Sequence, residues 1–329
     1  MSIDLVSQSV ETGTVVPFLG LLLALLIDRF WGEPRVRWHP VVWMGNYLQL
    51  AGERVQRSAS QHSPDYKVFW LAALYWCAGV AIFVIAALAL EVLLLTFPPV
   101  LSVLLLGLVL KPMLAWAMLK SEVLAVEAAL SESLAAGRQR LSWLVSRDVT
   151  QLSAVQVRES AIESLAENLN DSVVAPIFWF VLLGLPGAVL YRFANTADAM
   201  WGYRGVYKGQ NWEWAGKWAA RADDLLSWLP ARLTGVLLAL VCRVSLRQLR
   251  AQSRLTPSPN SGWPMAAMAL ALGVSLGKPG VYRLNEVGSE TQSSDVQRAI
   301  VCASKTLLVL VPIAWLAIYV VAIMKTGSP

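Results

Sequence analysis

The chain has 329 residues, of which 56% are hydrophobic and only 15% charged, and its mean hydropathy is +0.53. Soluble domains carry about 25% charged residues, so a soluble globular class is excluded and a polytopic membrane protein with polar loops is expected. The net charge of +5 is scattered over loops rather than gathered in a run. That excludes nucleic acid as a partner and suits loops held beside an anionic leaflet.

Cys77, Cys242 and Cys302 lie in or beside apolar segments without C-x-x-C spacing. Small core residues are expected there, not disulfides or zinc ligands. Residues 1–13 hold no Lys or Arg and no A-x-A site, so the first apolar run reads as an uncleaved helix. That run, 15–27, is short for a span of about 20 residues. A basic side follows with Arg29, Arg35 and Arg37, and Trp31, Trp38 and Trp43 suit an interface. His39-Pro40-Val41 sits among them.

Residues 51–67 are polar. Residues 68–90 form the clearest span, Phe97-Pro98-Pro99 a turn, and 100–119 a returning span with Lys111 near its middle. Lys111 precedes Pro112, so irregular backbone and a snorkelling or cavity-facing lysine are expected. Residues 121–136 read as an amphipathic helix with Val123, Val126, Leu130 and Leu134 on one face and Gly137 as its stop. A second helix begins near Ser153.

That second helix carries Glu163, Glu167, Asn170 and Asp171 at i, i+4, i+7 and i+8, on one α-helical face. Beyond it, 172–183 is apolar but about 18 Å long as a helix, against a hydrocarbon core of about 30 Å. Gly184, Pro186 and Gly187 interrupt it. A re-entrant hairpin turning at Leu185-Pro186-Gly187 and a single kinked span both fit. Asn195 with Asp198, and Arg221 with Asp224, also share faces. Acids and carboxamides beside such apolar sequence are costly without a partner, a metal or a charged ligand. Residues 225–242 are apolar around Pro230-Ala231-Arg232, 243–254 basic, and Ser258-Pro259-Asn260 opens a turn-rich loop. Residues 266–276 are apolar and too short to span, 285–294 read as a flexible linker, and 306–324 as a final span.

These blocks resemble the CobD/CbiB cobalamin-biosynthesis proteins, the adenosylcobinamide-phosphate synthases. The resemblance covers about residues 27–305. It rests on His39-Pro40-Val41, Ser146-Arg147-Asp148, the 163–171 stretch, Asn195-Thr196 through Tyr203-Arg204, Ala219 through Asp224, Pro230-Ala231-Arg232-Leu233 and Ser258-Pro259-Asn260-Ser261-Gly262-Trp263-Pro264. The family's His before S-P-N is Thr256 here, its Ser after N-T-x-D is Ala199, and its Tyr-x-Gly is Tyr282-Arg283-Leu284.

The resemblance implies an all-α, polytopic protein of the cell inner membrane, one integral domain over 1–329 with amphipathic cytoplasmic helices. It implies ATP-dependent joining of the adenosylcobyric acid carboxylate to (R)-1-aminopropan-2-ol or its O-phosphate. The partners implied are a corrinoid, a small amino alcohol or its phosphate and the lipid bilayer. A homo-oligomer or a complex with later cobamide-assembly enzymes is compatible with it.

Amide formation from a carboxylate needs activation, and Mg²⁺ with ATP supplies it. Glu163, Glu167, Asp171 and Asp198 are the expected catalytic acids, with Asp171 or a neighbour as general base. Glu167, Asp171, Asp223 and Asp224 are the expected Mg²⁺ ligands. His39, Arg147, Asn168, Asn170, Asn195, Tyr203, Arg204, Arg221, Arg232, Ser258 and Asn260 are the expected substrate and phosphate contacts. No G-x-x-x-x-G-K-[ST] loop is present. The competing classes are a non-enzymatic membrane sensor of the AmpE type, which lacks the full acid–Asn–Arg set, and a transporter, which predicts charges deep in several spans. Lys and Arg placement predicts the N-terminus outside and residues 28–67 and 120–171 cytoplasmic. One shared site would require 192–224 to reach that side too.

Overall fold

A computed structural model describes residues 3–58 and 64–326, with side chains over 13–58 and 64–325. The expected polar loop at 51–67 therefore lies partly outside the described residues. The helices run α1 (Ile3–Trp31), α2 (Pro40–Val55), α3 (Tyr66–Leu94), α4 (Pro99–Leu110), α5 (Trp116–Glu132), α6 (Leu134–Leu141), α7 (Ala154–Leu169), α8 (Ala175–Leu183), α9 (Leu185–Trp201), α10 (Lys217–Leu226), α11 (Trp228–Val241), α12 (Leu246–Gln252), α13 (Gly262–Leu272) and α14 (Ser293–Thr326). The strands are short: β1 (Arg57–Ser58), β2 (Val206–Tyr207), β3 (Gln210–Asn211), β4 (Leu276–Lys278) and β5 (Tyr282–Leu284). Gly13–Trp31, Tyr66–Leu94, Pro99–Glu132 and Ser293–Lys325 are long and apolar enough to cross a membrane, and α10 with α11 adds a fifth if that bent pair counts as one span. The protein is an all-α polytopic membrane protein. The first span is thus longer than the 15–27 run, because the helix continues through its polar flanks.

The chain divides into two compact units that interleave in sequence. Unit 1 comprises 1–114, 175–226 and 314–329, and unit 2 comprises 115–174 and 227–313.

In unit 1, α1 packs along α4, and α9 packs on α2, α3 and α8. The fold-back between α8 and α9 is a helical hairpin. Its break is Gly184 alone, at φ 70°, a conformation that favours glycine. Pro186 and Gly187 lie inside the first turn of α9, so the turn comes earlier than the sequence suggested. One orphan donor of that turn is met by Glu91, whose Oε1 accepts from the Leu185 N–H at 3.2 Å. A small antiparallel sheet in the order β1-β3-β2 closes this unit, with Arg57 opposite Asn211 and Tyr207 opposite Gln210.

Lys111 corrects an expectation. It stands in a 3₁₀ turn, Lys111–Met113, but it does not snorkel. It is 2% exposed, with Nζ 2.7 Å from Glu33 Oε2 and 3.4 Å from Asp28 Oδ1. An ion pair removes the cost of burying that charge alone. The cysteines also differ from expectation: Cys77 is exposed, and Cys242 and Cys302 are half-buried. Cys77 lies on the outward face of a candidate span, where lipid replaces a protein core.

In unit 2, α5 buries Val123, Val126 and Leu130 as expected, while Leu134 is exposed. Gly137 does not stop this helix. Ser133 does, by capping α6 through the Ala136 N–H. Gly137 lies within α6, and a Cβ there would stand 2.7 Å from Leu130 Cδ1, so glycine lets α6 close on α5. Ser153 caps α7 in a reciprocal capping box with Gln156. At its end the backbone widens into a π-turn, Asn170–Val174, before α8. The 285–294 segment is tied down rather than loose. Asn285 Nδ2 donates to the Val274 carbonyl at 3.0 Å, and the Thr291 hydroxyl to the Val155 carbonyl at 3.1 Å.

Candidate active site

The charged residues that the sequence groups by spacing fall into separate places. One of these places is a cavity of about 210 Å³ in unit 2. Helix α7 supplies Ser160, Glu163, Ser164, Glu167 and Asn168 to its wall, the loop before α7 supplies Ser146 and Arg147, and Met265 comes from α13. The β4–β5 hairpin adds Lys278 and Tyr282, which pair directly across it. Cross-strand neighbours project to one face, so both reach the cavity. Arg283, one residue on, points the other way and pairs with Glu159 at 3.3 Å.

Glu163 is 4% exposed. Arg147 Nη2 stands 3.3 Å from its Oε2 and also donates to the Ser160 hydroxyl. Burial pushes the Glu163 carboxyl above its ordinary range, against the opposing pull of Tyr282, Arg147 and Lys278. Burial likewise raises Glu159 to about 7, with Arg283 opposing and the Glu163 charge adding to the rise. The Tyr282 hydroxyl is raised, first by burial and then by the Glu163 charge. Two acids, two cations and a phenol thus face a small volume. Such a site can hold an anionic group against Arg147 and Lys278 and pass a proton to or from a carboxylate.

The single acidic face over 163–171 is only half realised. Glu163 and Glu167 line the cavity, whereas Asn170 and Asp171 do not. The π-turn begins at Asn170, and a wider turn advances each residue by a smaller angle than an α-turn. Asn170 is buried, donating to Asp171 Oδ1 at 2.8 Å and accepting from the Thr234 hydroxyl at 3.0 Å. Asn168 lines the cavity with its Nδ2 held by the Ser164 carbonyl at 3.0 Å.

Of the other expected contacts, His39 is in unit 1, caps α2 through the Val41 N–H and stands 3.1 Å from Glu33. Asn195, Asp198, Tyr203, Arg204, Arg221, Asp223 and Asp224 also belong to unit 1. There Asn195 Nδ2 donates to Asp223 Oδ1 at 3.5 Å, and Tyr203 stacks on Tyr207 with centroids 3.6 Å apart. Arg204 and Arg221 are exposed.

Ser258 and Asn260 have local roles in unit 2. The Ser258 oxygen accepts from the N–H groups of Asn260 and Ser261, each at 3.2 Å, at the start of α13. Asn260 is buried and its Oδ1 accepts from Arg232 at 3.2 Å. Among the described residues, no group of three or more His, Cys, Asp or Glu side chains is placed to hold a metal ion. Of the expected Mg²⁺ set, Glu167 and Asp171 belong to unit 2 and Asp223 and Asp224 to unit 1.

Sequence reasoning missed Lys278 and Tyr282 as site residues. Their signal is a short hairpin around Lys278-Pro279-Gly280, in which Pro and Gly mark the turn.

A helical membrane protein with a buried carboxylate–arginine cavity is the class these features define. Residues 21–311 match the family model described as CobD/Cbib protein. A "Probable cobalamin biosynthesis protein CobD" of Methanothermobacter thermautotrophicus is 40% identical over 295 residues, covering 88% of this chain and 93% of that protein. A "Cobalamin biosynthesis protein CobD" of Chromobacterium violaceum is 41% identical over 266 residues, covering 79% and 81%. The Rhizobium meliloti protein of the same name is 37% identical over 299 residues, covering 85% and 87%. No solved structure matches. The chain belongs to the CobD/Cbib protein family.

Proposed function

We propose that this protein acts in cobalamin biosynthesis in the cell inner membrane. Its reaction joins the carboxylate of adenosylcobyric acid to (R)-1-aminopropan-2-ol or its O-phosphate at the expense of ATP, as in adenosylcobinamide-phosphate synthases. Family membership supports the pathway. The observation that carries the chemistry is the cavity where Glu163 and Glu167 face Arg147, Lys278 and Tyr282.

The cavity volume of about 210 Å³ is roughly that of seven water molecules at about 30 Å³ each. A corrin macrocycle does not enter it. It takes the reacting carboxylate arm, the amine or a phosphate, while the ring stays outside. Arg147 and Lys278 hold the anionic group, since guanidinium and ammonium pair strongly with phosphate oxygens. Glu163 accepts the proton released as the amine adds; a carboxylate with a raised pKa is the better base. Mg²⁺ carried on nucleotide phosphates needs only one or two carboxylates, and Glu167 is the acid of the cavity wall suited to it. Bound there, it would neutralise phosphate charge.

The test is reconstitution of the purified chain with adenosylcobyric acid, aminopropanol phosphate and Mg·ATP, read by mass spectrometry. Adenosylcobinamide phosphate is the expected product. Its absence, with the chain folded, contradicts the reading.

A further inference from the structure

A second cavity in unit 2, of about 720 Å³, shares no lining residue with the first. Its charged lining consists of Arg232, Arg250 and Arg254, and no carboxylate lines it. Arg250 and Arg254 are exposed and, among the described residues, take part in no ion pair. Arg232 is fixed by neutral groups alone. It donates to the Trp228 carbonyl at 2.6 Å and to Asn260 Oδ1 at 3.2 Å. Its guanidinium carbon lies 4.1 Å from the Trp228 ring and 5.2 Å from that of Trp263.

Three uncompensated cations around one cavity repel one another, and an anion between them reverses the sign of that interaction. Arg232 is held in place, so less side-chain entropy is lost when it binds. Beside the two Nη1 contacts, Nη2 donates to the Pro259 carbonyl at 3.4 Å, which leaves two of its five donors for a ligand. Arginine forks match the oxygens of phosphate.

We propose that this cavity binds a phosphate group, gripped by Arg250 and Arg254 against the fixed guanidinium of Arg232. Asn260 is then a positioning residue. The site does not depend on the amide-forming reading. The same chemistry has two sources. One is a free phosphate. The other is a phospholipid headgroup, because Trp228, which lines the cavity, and Leu229, next to it in the chain, are 48% and 53% exposed.

The experiment uses the full chain in detergent, the Arg250→Ala/Arg254→Ala double variant, and Arg54→Ala as a charge-loss control. Inorganic pyrophosphate is titrated calorimetrically, and retention of phosphatidylglycerol is read by native mass spectrometry. Neither Arg250 nor Arg254 holds an ion pair, so the double variant should fold, and its melting temperature checks that. The expected result is at least a tenfold loss of affinity for one probe in the double variant and none in Arg54→Ala. Loss for pyrophosphate assigns a free phosphate; loss confined to phosphatidylglycerol assigns the lipid. Equal binding by wild type and double variant, or no binding of either probe by wild type, overturns the proposal.

Discussion

Glu163 is the residue whose surroundings matter most to the proposed chemistry. Its carboxyl is buried against Arg147, and the Tyr282 hydroxyl favours the charged form. Tyr282→Phe removes that donor, so the Glu163 pKa rises further. The acidic limb of the ligation rate should therefore move to higher pH, which a pH–rate profile reads directly. An unmoved limb would detach Tyr282 from the proton transfer. Glu159 gives a stability prediction. Its folded pKa of about 7 lies above the ordinary 4.5. Between those values the folded state binds more protons than the unfolded state, so stability falls as pH rises through that window. Glu159→Gln should flatten this slope in melting temperatures measured from pH 4.5 to 7. Parallel curves for the two proteins would contradict it.

Elements decide how much of the site could be read beforehand. Helix α7 was legible because Ser153 and Gln156 form a capping box and the acids follow at helical spacing. The placement of Asp171 was not, because nothing in the sequence marks a π-turn at Asn170; it forms where Asn170 meets Thr234 of α11. The hairpin presenting Lys278 and Tyr282 was missed because its strands have three residues each, too few for an alternating pattern. The Glu91 cap of α9 joins residues 94 apart in sequence, which no local pattern reveals. The turn after α4 also depends on distant partners, since Lys111 meets Asp28 and Glu33 from the end of α1 and just beyond. Lys111→Met removes the cation that Asp28 and Glu33 share, and removing one partner of a buried pair costs about 3–5 kcal/mol. Denaturation of the purified variant in detergent should show that loss, and an unchanged midpoint would mean the pair contributes little.

At the scale of the molecule, composition settled the class, because four long apolar helices account for the high hydropathy. The interleaving of two units was hidden, since each draws on segments far apart in the chain. On the distribution of Lys and Arg, the α5–α7 region is expected on the cytoplasmic side. A cysteine introduced at Ser131, which is exposed, should then react with an impermeant reagent only when the cytoplasmic face is open to it. Labelling from the outside alone would reverse that topology.

The central claim is that amide formation runs at the Glu163–Glu167 cavity. Its most direct test is the ligation rate of Glu167→Gln beside wild type, with adenosylcobyric acid, aminopropanol phosphate and Mg·ATP and both proteins shown folded by thermal melting. Wild type should give product, and the variant should lose about 100-fold or more in rate. Turnover by Glu167→Gln close to that of wild type would contradict it.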